Sequence, residues 1–103
     1  MVVAGYLGTL GPMQFRYKLP NHLSDQALAL EEFANGGAQC HVRLKDGTVH
    51  SGLLVSNATA IIAMRGHHDL PFSLDSVSSL FQTAEDRSPT VRGNWEYFDA
   101  WSP

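Results

Sequence analysis

Cysteine and long hydrophobic runs are both scarce in this 103-residue sequence. The single thiol, Cys40, excludes an internal disulfide and any metal site built from several cysteines, a usage typical of the cytoplasm. No apolar stretch approaches the roughly 18 residues of a membrane-spanning helix. The start, Met1–Gly5, has no basic region followed by an apolar block, so it does not predict a signal peptide. We therefore expect a cytoplasmic protein without a membrane partner.

Positive charge is also scarce. Seven lysines and arginines stand against ten carboxylates, which gives a net charge of −3. Proteins that bind nucleic acids in general are usually basic, because Lys and Arg displace counterions from phosphates. The net negative charge argues against strong, general nucleic-acid binding. A local basic patch is still compatible with that net charge.

The length suits one compact domain with two extensions. We predict an irregular N-terminal arm over residues 1–22, a helix plus barrel over 23–82 and a C-terminal tail over 83–103. Alternation over Met13–Lys18 suggests a short strand within the arm. The tail is aromatic, and the favoured interpretation is that its rings cover the barrel, with a docking peptide for a partner as the alternative. These rings are Trp95, Tyr97, Phe98 and Trp101.

A helix is predicted from Ser24 to the glycine pair at 36 and 37. Ser24 is placed to cap the first turn, and Asp25 puts negative charge where a helix start favours it. Gly36 and Gly37 end the helix because glycine adopts the left-handed conformation easily. The apolar residues at helical spacing are Leu23, Ala27, Leu30, Phe33 and Ala34.

Five short strands are predicted after the helix, which makes the fold mainly β. Cys40–Lys45 alternates apolar and polar residues, and Asp46-Gly47 is a tight-turn signal. Strands of this length cover their edges best by curling into a small, strongly bent antiparallel barrel. The further strands are Thr48–Ser56 with a bend at Gly52, Ala60–Met64, Leu70–Leu74 and Val77–Phe81.

The segment from Leu44 to Leu54 resembles the first motif of Sm proteins, Leu-x-Asp-Gly-x-x-x-x-Gly-x-Leu. Asp46-Gly47 makes the hairpin turn, and Gly52 lets the second strand bend to serve both halves of a barrel. The upstream helix and the closing strands are similar to those of Sm, LSm and Hfq proteins. The resemblance covers about residues 24–82 and implies an Sm-like barrel.

The family's RNA pocket does not carry over with the fold. Where the family has an aspartate in the loop after the second strand, then an aromatic residue or Met, this chain has Ala58, Ala60 and Ile61. The Lys-His pair of Hfq falls on Leu74 and Asp75. The chain also resembles the Rof family, small acidic Sm-like proteins that inhibit the Rho termination factor by binding protein. That family shares the helix, the Leu-Lys-Asp-Gly segment and a late Leu-Asp before a short apolar strand.

Candidate nucleic-acid contacts lie on the first strand and in two loops. Arg43 and Lys45 share an outer strand face, and Arg65 ends the third strand, so together they predict a cationic strip for phosphate. Asn57 and Thr59 lie in the loop with which the family grips RNA, and they supply polar contacts to a base. A solvated face that keeps the barrel soluble explains the cations equally well.

The last two predicted strands are more apolar than a small core needs. In Sm-like proteins the corresponding strands pair between neighbouring subunits and close a ring, which removes edge strands. The resemblance therefore implies a homo-oligomeric ring, with a plain core as the competing interpretation. The interface residues would be Leu70, Phe72, Leu74, Val77, Leu80 and Phe81.

Catalytic and metal chemistry finds little support in the sequence. His67-His68-Asp69 is the strongest metal candidate, but neighbouring side chains in a turn diverge, so we favour an exposed polar turn. Cys40 is expected to be a buried thiol. No nucleophile elbow or phosphate-binding loop is present. We expect no enzyme, no cofactor and no metal.

Two main functional hypotheses follow, and a metal-binding or hydrolytic role at His67 and His68 is the third. The leading one is an Sm-like ring that binds RNA or single-stranded nucleic acid in a regulatory or processing role. The alternative is an acidic protein-interaction module, a regulator of the Rof type, that binds a protein partner without contacting nucleic acid. The fold resemblance favours the first, and the charge favours the second.

Overall fold

A four-stranded antiparallel sheet forms the centre of the protein, and its strands lie side by side in the order third, second, first and fourth along the chain. The computed structural model describes residues 15–99. Within that range, no helix is both long and apolar enough to cross a membrane. The strands are β1 (Gly37–Leu44), β2 (Val49–Ser56), β3 (Ala60–Met64) and β4 (Val77–Phe81), and the helices are α1 (Ser24–Leu28) and α2 (Ala84–Arg87).

The first hairpin confirms the predicted turn. Gly47 has φ +91°, and the Leu44 N–H donates to the Thr48 carbonyl at 2.8 Å. Asp46 Oδ1 accepts the Thr48 N–H at 2.8 Å. Hydrogen bonding from the Thr48 side chain, and then from its backbone N–H, holds the pKa of Asp46 below its usual value. The predicted alternation is also confirmed, since Cys40 and Val42 are fully buried and Arg43 is exposed.

Gly52 bends β2, as predicted. Its φ is +71°, and β2 carries one extra residue here, because Leu53 pairs with Cys40 while His50 pairs with Val42. A Cβ on Gly52 would lie 3.0 Å from the Arg65 side chain. Only glycine combines this backbone conformation with so close an approach.

The sheet has an apolar cluster on each face. β3 contributes to both clusters and all five of its residues are buried, as its sequence predicted. The larger cluster is the main core, formed by Leu19, Leu23, Ala27, Cys40, Val42, Leu44, Leu53, Val55, Ile61, Met64, Val77, Leu80 and Phe98. The smaller cluster consists of Leu54, Ala60, Ile62 and Ala63, covered by Phe15, Phe33 and Trp95.

The predicted strand at 70–74 is wrong. Pro71 has no N–H to donate to a sheet, and residues 70–73 run without strand pairing into a 3-10 helix at Leu74–Ser76. Ser73 begins that helix, because its hydroxyl accepts the Asp75 N–H. The side chains of Leu70, Phe72 and Leu74 pack half-buried on the main core.

The sheet does not close into the predicted five-stranded barrel, because β3 and β4 are separate edges. Non-strand segments occupy the outer edge of β3. The Ile61 N–H donates to the Tyr17 carbonyl at 3.0 Å, and the Phe98 N–H donates to the Ile62 carbonyl at 2.9 Å. Residues 17–19 of the predicted arm therefore lie against β3, whereas residues 1–14, including the start of the Met13–Lys18 strand, lie outside the described residues.

The predicted helix is wrong in its length and in its cap. α1 ends at Leu28, and the residue that precedes it is Leu23, the last residue of a 3-10 turn, so Ser24 lies within α1 and does not cap it. The chain instead turns at residues 33–37, where the Gly37 carbonyl accepts the Phe33 N–H at 3.0 Å. This turn carries Phe33 to the smaller cluster, on the face of the sheet opposite Ala27. A continuous helix could not reach both faces.

The C-terminal segment, residues 83–99, packs on the sheet. α2 begins with a capping box in which Thr83 and Asp86 bond reciprocally. Trp95 covers the smaller cluster and Phe98 belongs to the main core, which confirms the covering interpretation for these two rings. Tyr97 stays 48% exposed, and Trp101 lies outside the described residues.

Candidate interaction surfaces

The negative charge of the protein is concentrated in one segment. Residues 19–42 contain no lysine or arginine and three carboxylates, Asp25, Glu31 and Glu32, while the rest of the chain has seven cationic and seven acidic side chains. All three carboxylates are exposed. We call α1 and the following residues to Glu32 the acidic surface. It carries three carboxylates and no lysine or arginine of its own, and Arg87 lies 3.9 Å from the Glu31 carboxylate.

Leu28 lies between Asp25 and Glu31 in the chain and is 73% exposed. A groove of about 310 Å³ lies between α1 and β4. Single exposed apolar side chains are common on protein surfaces, and Leu28 is of interest here because its neighbour Ala29 lines this groove and Asp25 and Glu31 flank it in the chain. The groove is lined by Gln26, Ala29, Leu30, Glu31, Leu80, Phe81, Gln82 and Arg87.

The edge of β4, where a ring neighbour would pair in an Sm-like protein, bonds to side chains of the same chain. His22 Nε2 lies 2.9 Å from the Val77 carbonyl oxygen. Gln26 Oε1 accepts the Leu80 N–H at 2.7 Å. Pairing with a second subunit at this edge would require both contacts to break.

The residues predicted for a ring interface pack mostly on the protein's own core. Val77 and Leu80 are buried, and Leu70, Phe72 and Leu74 are half-buried against the same cluster. Phe81 lies on the opposite face, beside the His41 ring with centroids 5.1 Å apart. The ring interface stays a prediction.

The predicted cationic strip is divided by the structure. Arg43 is exposed, and its guanidinium carbon lies 5.2 Å from the centroid of the Phe81 ring. Lys45 is exposed after the end of β1. The Arg65 guanidinium instead lies 3.6 Å from the Trp95 ring centroid and donates to the carbonyls of Asn94 and Val91 at 3.0 and 3.2 Å. Arg65 therefore holds the C-terminal segment.

The two predicted loop contacts form part of a tight turn. Asn57 has φ +49°, and its N–H donates to the Gly36 carbonyl at 2.7 Å. The Thr59 hydroxyl donates to the Asn57 carbonyl at 3.0 Å. Both residues remain exposed, but the Thr59 hydroxyl serves the turn.

Four of the five arginines donate to backbone carbonyls of the same chain. Arg43 is the exception within residues 15–99. The four pairs are Arg16 with Phe98, Arg65 with Asn94 and Val91, Arg87 with Gln82, and Arg92 with Pro89 and Phe33. The arginines mainly fasten the C-terminal half of the chain, which leaves few of them for phosphate.

Asp86 is a buried carboxylate that the sequence reading missed. Its Oδ2 lies 2.6 Å from His41 Nδ1 and accepts the Thr83 N–H, while its Oδ1 accepts from Gln39 Nε2 at 3.0 Å. Burial raises the pKa of Asp86, but the bonds from Gln39, Thr83 and His41 outweigh that effect and lower it. The carboxylate therefore stays ionised and joins α2 to β1.

The other titratable and potentially metal-binding side chains do not come together in one site. Asp69 bonds to Arg16 at 2.8 Å and to the Tyr17 hydroxyl, and His68 pairs with Glu96. Among residues 15–99, no three His, Cys, Asp or Glu side chains are grouped to hold a metal. Cys40 is fully buried, as predicted, and burial raises its pKa to about 12.

Some of the missed features had a signal in the sequence. Thr83 and Asp86 have the spacing of a capping box, which would have predicted α2. The absence of lysine and arginine over residues 19–42 could also have been recognised from the sequence. The exposure of Leu28 had no such signal, because it depends on where α1 ends.

Comparison with known proteins yields no relative. No protein-family model, no curated protein and no solved structure matches the chain. The resemblance to Sm-like proteins therefore stays a prediction from the Leu44–Leu54 motif.

Proposed function

We propose that this protein is an acidic, Sm-like interaction module that binds a basic surface of a protein partner in the cytoplasm. The carrying observation is the acidic surface, which concentrates the charge surplus of the chain around one exposed leucine, Leu28. Rim carboxylates steer a basic partner, and a central apolar side chain supplies contact area.

The use of the cations supports this proposal. Arg16, Arg65 and Arg87 bond within the chain, and Arg92 does so with part of its donors, so much of the positive charge serves the fold. The contacts of His22 and Gln26 with β4 favour a module that works without a ring. The buried Cys40 suits the cytoplasmic location that we propose.

Affinity capture with the full-length protein from nuclease-treated lysate tests this function. We expect a defined protein to be retained by the wild type and lost with Glu31→Lys or Leu28→Ala. Asp75→Lys is the matched control, because it makes a comparable charge reversal at an exposed residue that does not line the groove. Retention of the same protein by Glu31→Lys and Leu28→Ala at wild-type levels would contradict the proposal.

RNA binding by an Sm-like ring is the second candidate, and the exposed Arg43 above Phe81 favours it. A guanidinium beside an aromatic ring suits a nucleotide chain, and Lys45 adds charge nearby. Fluorescence anisotropy with uridine and adenine oligoribonucleotides would show salt-sensitive binding, weakened by Arg43→Glu. Light scattering would show several subunits if a ring forms. A monomeric protein that binds neither RNA would contradict the proposed RNA-binding ring.

A further inference from the structure

A second cleft lies between the turn that precedes β1 and the C-terminal segment, with a volume of about 200 Å³. It shares no lining residue with the groove beside α1. Leu54 and Ile62 of the smaller cluster line it, together with three aromatic rings, Phe33, Trp95 and Tyr97. The cleft thus presents an aromatic site on a protein with few free cations.

Two contacts fix the orientation of the Trp95 ring in this cleft. The Arg65 guanidinium packs 3.6 Å from the ring centroid, and the indole Nε1 donates to the Arg92 carbonyl at 3.0 Å. Tyr97 leaves 48% of its surface exposed. A wall that is fixed before binding loses little conformational entropy when a ligand packs on it.

Polar groups at the cleft have unused hydrogen-bonding capacity. Among the described residues, the Asn35 amide and the Ser56 hydroxyl have no hydrogen-bond partner. Arg92 also lines the cleft and is exposed, and its three bonds, to Pro89, Phe33 and Ser88, are long at 3.2 to 3.4 Å. A guanidinium has five N–H donors, so Arg92 can bind an anion without losing these bonds.

These groups have the chemistry of a nucleobase site. Aromatic side chains stack on a base, an amide and a hydroxyl bond to its polar edge, and a guanidinium binds phosphate. The volume lies below the roughly 300 Å³ at which pockets for drug-sized ligands begin, which suits a single planar ring system. The Glu32 carboxylate accepts the Gly36 N–H at 3.2 Å near the cleft, and Arg92 is the lining residue that offers positive charge to a phosphate.

We propose that this cleft binds a nucleobase, with the attached phosphate on Arg92. A free nucleotide and an unpaired base of single-stranded RNA offer the same chemistry. The cleft and the acidic surface share no residue, so nucleobase binding can be tested separately from the protein-interaction role.

The test uses the full chain labelled with ¹⁵N and titrated with adenosine, adenosine monophosphate, uridine monophosphate and a short single-stranded RNA. We expect shifts of the Trp95 indole N–H and of the Gly36 and Gly37 amides. Titration calorimetry should show tighter binding of the monophosphate than of adenosine. Shifts with RNA alone would identify a base within a chain as the ligand, and shifts with mononucleotides would identify a free nucleotide.

Two variants separate the roles of the side chains. Arg92→Gln should weaken adenosine monophosphate binding roughly tenfold, as expected for a lost charged hydrogen bond, and leave adenosine binding unchanged. Asn35→Ala should weaken both ligands. Arg87→Gln, an exposed arginine outside the cleft, is the matched control. Absence of shifts at millimolar ligand, shifts confined to residues outside the cleft, or an equal loss with Arg87→Gln would overturn the proposal.

Discussion

Oδ2 of Asp86 and Nδ1 of His41 lie 2.6 Å apart and join the C-terminal segment to the middle of the sheet. Asp86 is 1% exposed, and His41 stands on β1 with part of its ring in solvent. The same carboxylate holds Gln39 and the start of α2. One buried charge therefore organises the contact between α2 and β1.

We predict that Asp86→Asn destabilises the protein by about 2–4 kcal/mol, because it removes a buried charge on which His41 and Gln39 depend. Urea unfolding followed by circular dichroism measures the change. Asp75→Asn, at an exposed position, is the control and should change the free energy of unfolding by less than about 0.5 kcal/mol. Equal effects of the two variants would show that the Asp86 contacts contribute little.

Stability should fall at acidic pH through the same residue. The pKa of Asp86 is lowered in the folded protein, so its contribution is present above the unfolded pKa of about 3.9 and is lost as pH falls through the lower, folded value. Urea midpoints measured from pH 7 to pH 2.5 should decline below about pH 4. Asp86→Asn should show a flatter decline in that window, and an unchanged profile would refute this assignment.

Gly52→Ala should destabilise the protein by about 1–3 kcal/mol, because the residue has φ +71° and its Cβ would press on Arg65. Thermal unfolding measures the loss. Gly93→Ala is the matched control, since a Cβ there has no neighbour within 4 Å and no positive φ opposes it. A melting temperature that falls as much in the control would argue against the bend at Gly52 as the cause.

Arg65→Ala should loosen the C-terminal segment while the sheet stays folded. It removes the contact with Trp95 and the bonds to Asn94 and Val91, together worth about 1–2 kcal/mol. Hydrogen exchange of the Phe98 amide, which bonds to Ile62, should become faster than in the wild type. Unchanged protection of that amide would show that Arg65 does not fasten the segment.

Cys40 should resist thiol reagents at neutral pH in the folded protein. Burial, and then the negative charge of Asp86, raise its pKa to about 12, so almost no thiolate forms. Titration with a disulfide reagent should show slow reaction that becomes fast in urea. Rapid modification of the native protein would mean that β1 opens readily.

Local chemistry in the sequence determined the hairpin and its neighbouring strands. Asp46-Gly47 specified the turn, the alternation of Cys40–Lys45 specified which face is buried, and Gly52 specified the bend. β3 and β4 also lie where their apolar runs predicted. These features depend on backbone preference and on a period of two, and both act between residues close in the chain.

The tertiary structure decided where α1 stops, what covers the sheet edges and which cations stay free. Phe33 is needed on the face opposite Ala27, so the chain turns at residues 33–37 although the helical spacing continues. By its position in the sequence Arg65 fits a phosphate-binding strip. Its guanidinium instead donates to the carbonyls of Val91 and Asn94, which lie 26 and 29 residues further along the chain. Such pairings arise between segments distant in sequence, because burial and hydrogen bonding are satisfied by the whole fold at once, and no local pattern encodes them.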